Sequence, residues 1–192
     1  MGKLIAWNSI TLDGIMQAPG GADEDTRNDF RHGGWAAPYF DDMMLEMSTG
    51  GETVESVMLF GRRTYEQFHS FWPSQAGNPY SEILEKSRKY VVSRTLAEPL
   101  PWANSVLLNG DPVGLVSGVK DEEDLDVVML GSGELLRSLL PAGLVDELTL
   151  LIHPLVLGEG FRLFPDGHRL EMELVETATN TRGVIIATYR PS

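Results

Sequence analysis

The chain has 192 residues, of which 42% are hydrophobic and 22% charged, and it contains no cysteine. This balance is typical of a globular protein, and the length predicts one domain over residues 1–192. The lack of cysteine excludes disulfides, thiolate metal sites and a cysteine nucleophile. The net charge of −13 argues against nucleic-acid binding, which needs a basic face. No apolar run approaches the ~18 residues of a membrane span and no signal peptide is found, so we expect a cytoplasmic protein with no membrane partner.

The first predicted strand, residues 3–10, runs into a long loop. Asp13-Gly14 is a turn signal, because Asp can bond its own backbone and Gly accepts a positive φ. Residues 15–37 carry several glycines and few periodic apolar positions, which predicts a long loop, and loops of this length in compact domains are usually functional or disordered. Apolar residues in helical spacing then predict a helix over residues 38–47.

Short apolar runs alternate with helical patterns in the middle of the chain. They cover residues 57–60, 90–92 and 127–130, with a further strand predicted at 105–108. Helical spacing follows at residues 62–69 and 134–140. Such alternation is typical of parallel strands that helices cover on both faces. The acidic run at residues 121–126 is interpreted as a solvated loop.

The pattern changes after Gly143. Residues 147–156, 171–178 and 183–190 are predicted to be long strands that no helix connects. This arrangement predicts an antiparallel hairpin added to the edge of the parallel sheet. The predicted fold class is therefore α/β, with three layers: a mixed, mostly parallel central sheet, helices on both of its faces, and a C-terminal antiparallel hairpin.

Residues at the ends of the parallel strands carry the predicted chemistry, because open α/β sheets bind ligands there. Gly131-Ser132-Gly133 allows close backbone approach and exposes N–H groups that favour an anion, although a plain strand-to-helix turn would look the same. Arg62 and Arg63 open a helix, where positive charge opposes the helix dipole and a bound phosphate would offset that cost. The alternative is that these are solvated surface arginines, one of them paired with Glu66.

Ser93-Arg94 supplies a further hydroxyl and guanidinium at the next strand end. Arginine and serine around a nucleotide ribose favour a 2′-phosphate. The strand-end residues together therefore predict NADPH rather than NADH as the cofactor.

Several segments resemble one superfamily in the order in which they occur. Residues 61–66 (Gly-Arg-Arg-Thr-Tyr-Glu) and 92–94 (Val-Ser-Arg) resemble dihydrofolate reductases. Residues 128–135 (Val-Met-Leu-Gly-Ser-Gly-Glu-Leu) resemble the reductase domain of bacterial riboflavin-synthesis enzymes, the RibD C-terminal type. Residues 9–14, 143–148 and 154–160 resemble that reductase domain as well. The resemblance implies a dihydrofolate reductase-like fold and an NADPH-dependent reductase.

The resemblance also implies roles for single residues. Residues expected to contact the cofactor are Ala6, Gly14, Gly61, Arg62, Arg63, Thr64, Ser93, Arg94, Gly131, Ser132, Gly133, Glu134 and Leu135. Within this set, Arg62, Ser93 and Arg94 would hold the 2′-phosphate, and Arg63 and Thr64 would meet the pyrophosphate. Ser9 and Asp13 would flank the substrate, and residues 15–37 would form a lid. From their positions in the sequence, Trp35 in the lid and His69 beside Phe71 are further candidates for the substrate site.

Dihydrofolate reductases hold the pterin with a carboxylate on the helix after the lid. Asp42 is the first candidate for a catalytic carboxylate here and Asp41 the second, although acids in a first helical turn are also ordinary dipole partners. The implied substrate is a small heterocycle, either a pyrimidine of the 5-amino-6-ribosylaminouracil phosphate type or a pterin such as dihydrofolate. No histidine has metal-ligand spacing, so no metal is predicted, and His153 is interpreted as a core or edge residue.

Two alternatives to the reductase remain open. One is a catalytically silent module that binds NADP(H) or a small ligand on the same fold, and the other is a structural protein that keeps only the fold. A homodimer is also expected, by the resemblance and because the apolar strands near residues 148–157 need cover.

Overall fold

The structure is a computed structural model that describes residues 2–44, 56–75, 77–164, 166–167 and 169–192. Its strands are β1 (Leu4–Thr11), β2 (Ser56–Gly61), β3 (Lys89–Val92), β4 (Ser105–Leu108), β5 (Asp126–Leu130), β6 (Glu147–His153), β7 (Met172–Thr179) and β8 (Ile185–Pro191). The longer helices are α1 (Arg62–Phe71), α2 (Pro79–Lys86), α3 (Pro112–Glu122) and α4 (Gly133–Leu139).

All eight strands form one sheet in the order β4-β3-β2-β5-β1-β6-β8-β7. The six strands from β4 to β6 are parallel to one another. β8 is antiparallel to both β6 and β7, so the C-terminal hairpin closes one side of the sheet. The predicted mixed sheet with an antiparallel edge is confirmed. The carboxyl ends of β3, β2, β5 and β1, which carry the predicted ligand-binding turns, lie side by side along one edge.

Helices cover both faces of the sheet. One core cluster contains Leu59 and Met129 from the sheet, Val116 from α3 and Leu136 from α4. The other cluster, on the opposite face, contains Phe60 from β2, Tyr65 from α1, Leu84 from α2 and Trp102. Burying apolar side chains on both faces explains why the parallel strands are nearly continuous apolar runs. The predicted three-layer α/β fold is therefore confirmed.

Two helices were missed in the sequence. α2 begins at Pro79 and α3 at Pro112, each directly after a capping residue. The Asn78 side chain accepts a hydrogen bond from the Tyr80 amide, and Asp111 accepts one from the Gly114 amide. An Asn or Asp followed by Pro at the first helical position is a recognised helix start, and this signal was overlooked.

The solvated loop predicted at residues 121–126 is wrong in part. α3 extends to Glu122 and β5 begins at Asp126, which leaves residues 123–125 between them. Glu123 is not a free surface charge, because it accepts a hydrogen bond from the Tyr90 hydroxyl at 2.5 Å and pairs with Arg88 at 3.1 Å.

The helix predicted over residues 38–47 begins later than expected. Residues 37–39 form a 3-10 turn and Phe40 is extended, so helical backbone starts at Asp42. Asp41 caps it by accepting a hydrogen bond from the Met44 amide at 3.2 Å. The predicted positions 45–47 lie outside the described residues. β6 is also shorter than predicted, since it ends at His153 before Pro154, which has no amide hydrogen to donate.

None of the helices in the described part of the chain is both long enough and apolar enough to cross a membrane.

Candidate active site

The turns that follow β2 and β5 are joined by two hydrogen bonds. The Gly61 amide donates to the Ser132 hydroxyl at 2.9 Å, and the Ser132 amide donates to the Thr64 hydroxyl at 3.1 Å. Gly131 has a φ of +56°, and a Cβ at this position would lie 3.5 Å from the Thr64 methyl group. Glycine at 131 therefore suits both the backbone conformation and the close approach of the two turns. Four predicted cofactor residues are thus in mutual contact.

The backbone of Gly133 lies next to Met16 of the predicted lid. A Cβ at this position would lie 2.0 Å from the Met16 sulfur and 3.3 Å from a methyl group of Leu163. The space left by the missing side chain is therefore filled by the chain itself. Leu135, which was also predicted to meet the cofactor, is 7% exposed and packs in the core beneath this turn.

The arginines of α1 are both paired with acids. Arg62 pairs with Glu66 one turn further along the helix at 2.8 Å, as the surface alternative for Arg62 anticipated. Arg63 pairs with Glu134 at 3.1 Å. The Glu134 side chain is 56% exposed, so the pair with Arg63 is open to solvent.

The arginine after β3 differs from the two acid-paired arginines of α1. The Ser93 hydroxyl is buried and accepts hydrogen bonds from the Thr95 and Leu96 amides, which hold the turn. Arg94 is exposed and makes no hydrogen bond or ion pair with any other described residue. An unpaired guanidinium at a strand end is well suited to bind an anionic ligand.

Residues 15–37 form a folded cap over the carboxyl ends of β1 and β6. Ile15, Ala18, Phe30 and Trp35 make a small buried cluster of their own. The indole of Trp35 donates a hydrogen bond to the Gln17 carbonyl at 2.7 Å. The expected functional loop is therefore packed by its own side chains, in the manner of an Ω-loop.

Arg27 extends this cap to the turn after β5 and was not identified in the sequence. One of its terminal nitrogens, Nη1, lies 2.6 Å from Glu134, while its Nε and Nη2 atoms contact Asp25. Hydrogen bonds to these acids raise the pKa of the guanidinium above its usual range. Burial opposes ionisation of Glu134, but Arg27 and Arg63 outweigh it and lower the pKa of this carboxyl.

Asp13 supports the neighbouring backbone. Its carboxylate accepts hydrogen bonds from the Thr11 hydroxyl at 2.5 Å and the Gly158 amide at 2.8 Å. Burial raises the pKa of Asp13, but these hydrogen bonds outweigh it and the net shift is downward. Gly14, with a φ of +79°, has open space where a Cβ would lie, and Ser9 is half-buried on β1.

His153 ends β6 beneath the cap and is fully buried. Its ring makes edge-to-face contacts with Trp35 and Tyr39, at centroid distances of 5.0 and 5.6 Å. Nδ1 lies 2.9 Å from the Leu151 carbonyl, whereas Nε2 has no hydrogen-bond partner among the described residues. Burial lowers the pKa of His153, against the opposing effect of the Leu151 and Ile10 carbonyls. The complete burial of this residue agrees with the core or edge position predicted from the sequence.

The two candidate catalytic acids have different surroundings. Asp41 caps the helical residues after it and also accepts hydrogen bonds from the amide and hydroxyl of Thr181, in the loop between β7 and β8. The hydrogen bond from the Thr181 hydroxyl is the main reason that the pKa of Asp41 is lowered. Asp42 is exposed and has no hydrogen-bond partner among the described residues.

His69 lies away from the other candidates. It is near the end of α1, eight residues beyond the end of β2, and packs against the rings of Tyr65 and Trp102. Trp102 also contacts Lys89 at the start of β3, the opposite edge of the sheet from the turns described above.

Ala6 is fully buried within β1, so only its backbone could face a ligand.

Comparison with known proteins agrees with this architecture. The sequence profile of the RibD C-terminal domain matches residues 2–186. The uncharacterized protein YyaP of Bacillus subtilis is 29% identical over 193 residues, a stretch that covers 97% of this chain and 94% of YyaP.

Three solved structures share the fold across the whole chain. A candidate riboflavin biosynthesis protein from Shewanella sp. PV-4 has a TM-score of 0.68 at 19% identity, with 99% of that chain covered. A pyrimidine reductase-like protein from Corynebacterium diphtheriae has a TM-score of 0.66 at 14% identity, with 92% covered. Dihydrofolate reductase from Enterococcus faecalis, complexed with NADP(H), has a TM-score of 0.64 at 16% identity, with 97% covered. The profile match over nearly the whole sequence shows that this chain belongs to the RibD C-terminal domain family.

Proposed function

We propose that this protein is an NADPH-dependent reductase that transfers a hydride to a small planar heterocycle. The observation that carries the proposal is the meeting of three turns along one sheet edge, where β3, β2 and β5 end side by side. These turns hold Arg94, Arg63 and the paired Gly61 and Ser132. Family membership and fold suggest reductase-type activity, and a solved structure with this fold is a dihydrofolate reductase complexed with NADP(H).

The residues present fit a dinucleotide phosphate. Arg94 is a cation at the edge with no partner among the described residues, and Arg62 lies at the neighbouring strand end, so these two would hold a 2′-phosphate. The hydroxyl of Ser93 accepts two backbone hydrogen bonds and lies 3.5 Å from the Thr95 hydroxyl, and we propose that it donates its proton to a phosphate oxygen when the cofactor binds. When bound, NADPH supplies the hydride, while the protein orients the ring and excludes water.

The substrate would lie beneath the cap, beside the end of β1. Ser9 and Thr11 project to the same face of the sheet as His153, because β1 and β6 pair Ser9 with Leu151 and Thr11 with His153. The ring of Trp35, from the cap, lies against His153 in this region. We propose a pyrimidine of the 5-amino-6-ribosylaminouracil phosphate type or a pterin such as dihydrofolate, either of which is flat enough for such a site.

Asp42 is the proposed carboxylate that orients or protonates the substrate. It follows directly after Asp41, whose carboxylate is committed to the Met44 amide and to Thr181. Asp42 accepts no such hydrogen bond from any residue that the structure describes, and we propose that it contacts the substrate instead.

The second candidate function is a catalytically silent module that binds NADP(H). One observation favours it: of the two candidate catalytic acids, Asp41 is engaged in structural hydrogen bonds and Asp42 is exposed. Such a module would bind NADPH with the same residues but would not oxidise it.

We also propose a homodimer. Large apolar side chains are exposed on the C-terminal hairpin and beside it, namely Val156, Leu174, Val175 and Ile185. Burying these side chains against a second copy would remove apolar surface from water. One chain has a mass of 21.2 kDa. Light scattering at micromolar concentration should give twice that mass. The mass of a single chain would contradict the dimer.

The test of the function is a titration with NADPH and, separately, with NADH, followed by quenching of tryptophan fluorescence. NADPH should bind much more tightly. Oxidation of NADPH should then be measured with dihydrofolate and with the ribosylaminouracil phosphate. Turnover of either substrate would support the reductase, binding without turnover of any heterocycle would favour the silent module, and binding of neither nucleotide by folded protein would reject both.

A further inference from the structure

Two arginines from separate parts of the chain converge on one carboxylate oxygen. Nη1 of Arg27 lies 2.6 Å from Oε1 of Glu134, and Nη1 of Arg63 lies 3.1 Å from the same atom. Arg27 belongs to the cap and Arg63 to the first turn of α1, so this oxygen joins the cap to the proposed cofactor edge. A phosphate oxygen is recognised by the same kind of donors.

Arg27 is held in its orientation by groups other than Glu134. Its Nε donates to Asp25 at 2.8 Å and its Nη2 contacts Asp25 at 2.5 Å, so only the Nη1 edge is directed at Glu134. The guanidinium carbon also lies 4.5 Å from the centre of the Phe161 ring. Departure of Glu134 would therefore leave Arg27 ordered and its Nη1 edge available.

The backbone around Arg27 is fixed as well. The side-chain amide of Gln17, which is only 3% exposed, donates hydrogen bonds to the carbonyls of Asp25 and Arg27 at 3.2 and 3.0 Å. Its oxygen accepts a hydrogen bond from the Phe161 amide at 3.0 Å. A buried glutamine thus ties Arg27 and the ring beneath it together.

Glu134 is much less constrained. Its side chain is 56% exposed, against 35% for Arg27, and the only hydrogen bonds described for it are those to Arg27 and Arg63. A carboxylate in such a position can rotate into water at little cost, because ion pairs that are exposed to solvent contribute little to stability.

We propose that Arg27 and Arg63 form a two-arginine clamp for the pyrophosphate of the dinucleotide, and that Glu134 occupies this clamp and exchanges with the pyrophosphate. This inference rests on the proposed function and adds to it a ligand from the cap, Arg27, and an internal competitor, Glu134. The exchange lets cofactor binding replace one anion by another at the Nη1 atoms of Arg27 and Arg63, while Arg27 stays paired with Asp25. It also couples the cap to the cofactor.

The experiment measures binding of NADPH and NADH to variants of the full chain by fluorescence titration. Arg27→Gln should weaken both nucleotides by a similar factor of about ten, because both carry the pyrophosphate. Arg31→Gln is the matched control, since Arg31 is an exposed arginine of the same cap that makes no hydrogen bond or ion pair among the described residues. It should leave both affinities unchanged.

Glu134→Gln breaks the same ion pair by removing the acid instead of the arginine. It distinguishes exchange of Glu134 with the pyrophosphate from an ion pair that only stabilises the fold. Removal of the competing charge should strengthen binding of both nucleotides several-fold, the opposite of the Arg27→Gln effect. If the ion pair only held the fold, both variants would weaken binding. Weaker binding by both variants would overturn the clamp alone, and so would equal nucleotide affinities of Arg27→Gln and Arg31→Gln. Failure of the wild-type protein to bind either nucleotide would overturn both the clamp and the proposed function.

Discussion

The amide of Gly61 donates a hydrogen bond to the hydroxyl of Ser132, 71 residues further along the chain. Gly61 ends β2, and Ser132 lies two residues beyond the end of the adjacent parallel strand β5. The Ser132 amide returns a hydrogen bond to Thr64 in the helix that follows Gly61. The reciprocal pair fixes the distance between the turns that are proposed to hold the cofactor. Ser132 has left-handed backbone angles, with φ at 56° and ψ at 40°, so its hydrogen bonds also hold a residue in an uncommon conformation.

Replacement of Ser132 by alanine should therefore affect both stability and binding. The part-buried Gly61 amide would lose its acceptor, which should lower the free energy of unfolding by about 1–2 kcal/mol. NADPH affinity should fall because one of the two hydrogen bonds that join the turns is lost, while the one from the Ser132 amide to Thr64 remains. Urea unfolding and nucleotide titration measure the two effects. Ser70→Ala is the control, because the Ser70 hydroxyl bonds only to the Gln67 carbonyl on an exposed helix face, and equal losses in both variants would contradict this role of Ser132.

The unpaired guanidinium of Arg94 predicts a selective effect on NADPH. Arg94→Gln should weaken NADPH binding by about tenfold or more, because a charge-assisted phosphate contact is lost. NADH lacks the 2′-phosphate, so its affinity should not change. Arg88→Gln, before the other end of β3, removes the same charge and serves as the control. Equal weakening of NADPH and NADH by Arg94→Gln would assign this arginine to a different part of the dinucleotide.

Asp41 and Asp42 are predicted to have separable roles. Asp41→Asn should lower the unfolding midpoint at neutral pH, because the carboxylate holds the helical residues after it and the loop at Thr181. The pKa of Asp41 is depressed in the folded protein, so this stabilisation is present above the ordinary pKa of 3.8 and is lost as pH falls through the folded value. The wild type and variant should therefore converge in stability in acid.

Asp42→Asn should instead leave stability nearly unchanged, since the carboxylate has no described partner. It should lower kcat for NADPH oxidation while NADPH affinity is preserved. Steady-state kinetics and thermal unfolding of both variants separate the roles. A kcat that falls with Asp41→Asn and not with Asp42→Asn would reverse the assignment.

Local patterns predicted the strands well because each is a short apolar run between turn residues. The order of the strands and the contacts within the site depend on long-range packing. Arg27 and Glu134 are 107 residues apart, and nothing in the sequence around either one indicates their ion pair. His153 is buried, as a core residue would be, but the sequence did not predict its contacts with Trp35, from a loop without a periodic pattern, or with Tyr39, from the predicted helix over residues 38–47. Local sequence patterns predict helices and strands, whereas prediction of a functional site requires knowledge of which loops fold over which strands.

Lys89 lies at the start of β3, away from the proposed site, and is fully buried. Its ammonium donates hydrogen bonds to the carbonyls of Ser87 and Ala103 at 2.8 and 3.0 Å and lies 4.7 Å from the centre of the Trp102 ring. Burial lowers its pKa from 10.5 to about 8, against the opposing charge of Glu85. The folded protein therefore gives up this proton at a lower pH than the unfolded chain.

The direction of the resulting pH effect follows from proton counting. Between pH 8 and 10.5 the unfolded chain binds more protons at Lys89 than the folded protein does, so this residue makes the free energy of unfolding rise with pH. The full rise is roughly 3 kcal/mol, since each pKa unit corresponds to about 1.4 kcal/mol. Lys89→Met should remove this contribution, so the stability of the wild type relative to the variant should increase from pH 8 to pH 10 in urea unfolding.

The comparison with Lys89→Met is needed because other groups also titrate in base. Burial raises the pKa of Tyr80 and of Tyr90, and an acid whose pKa is raised on folding makes stability fall as pH rises. Both tyrosines are present in the wild type and in the variant, so their effects cancel in the difference between the two curves. A difference that stays constant with pH would mean that Lys89 keeps its ordinary pKa and that its three carbonyl partners fully offset its burial.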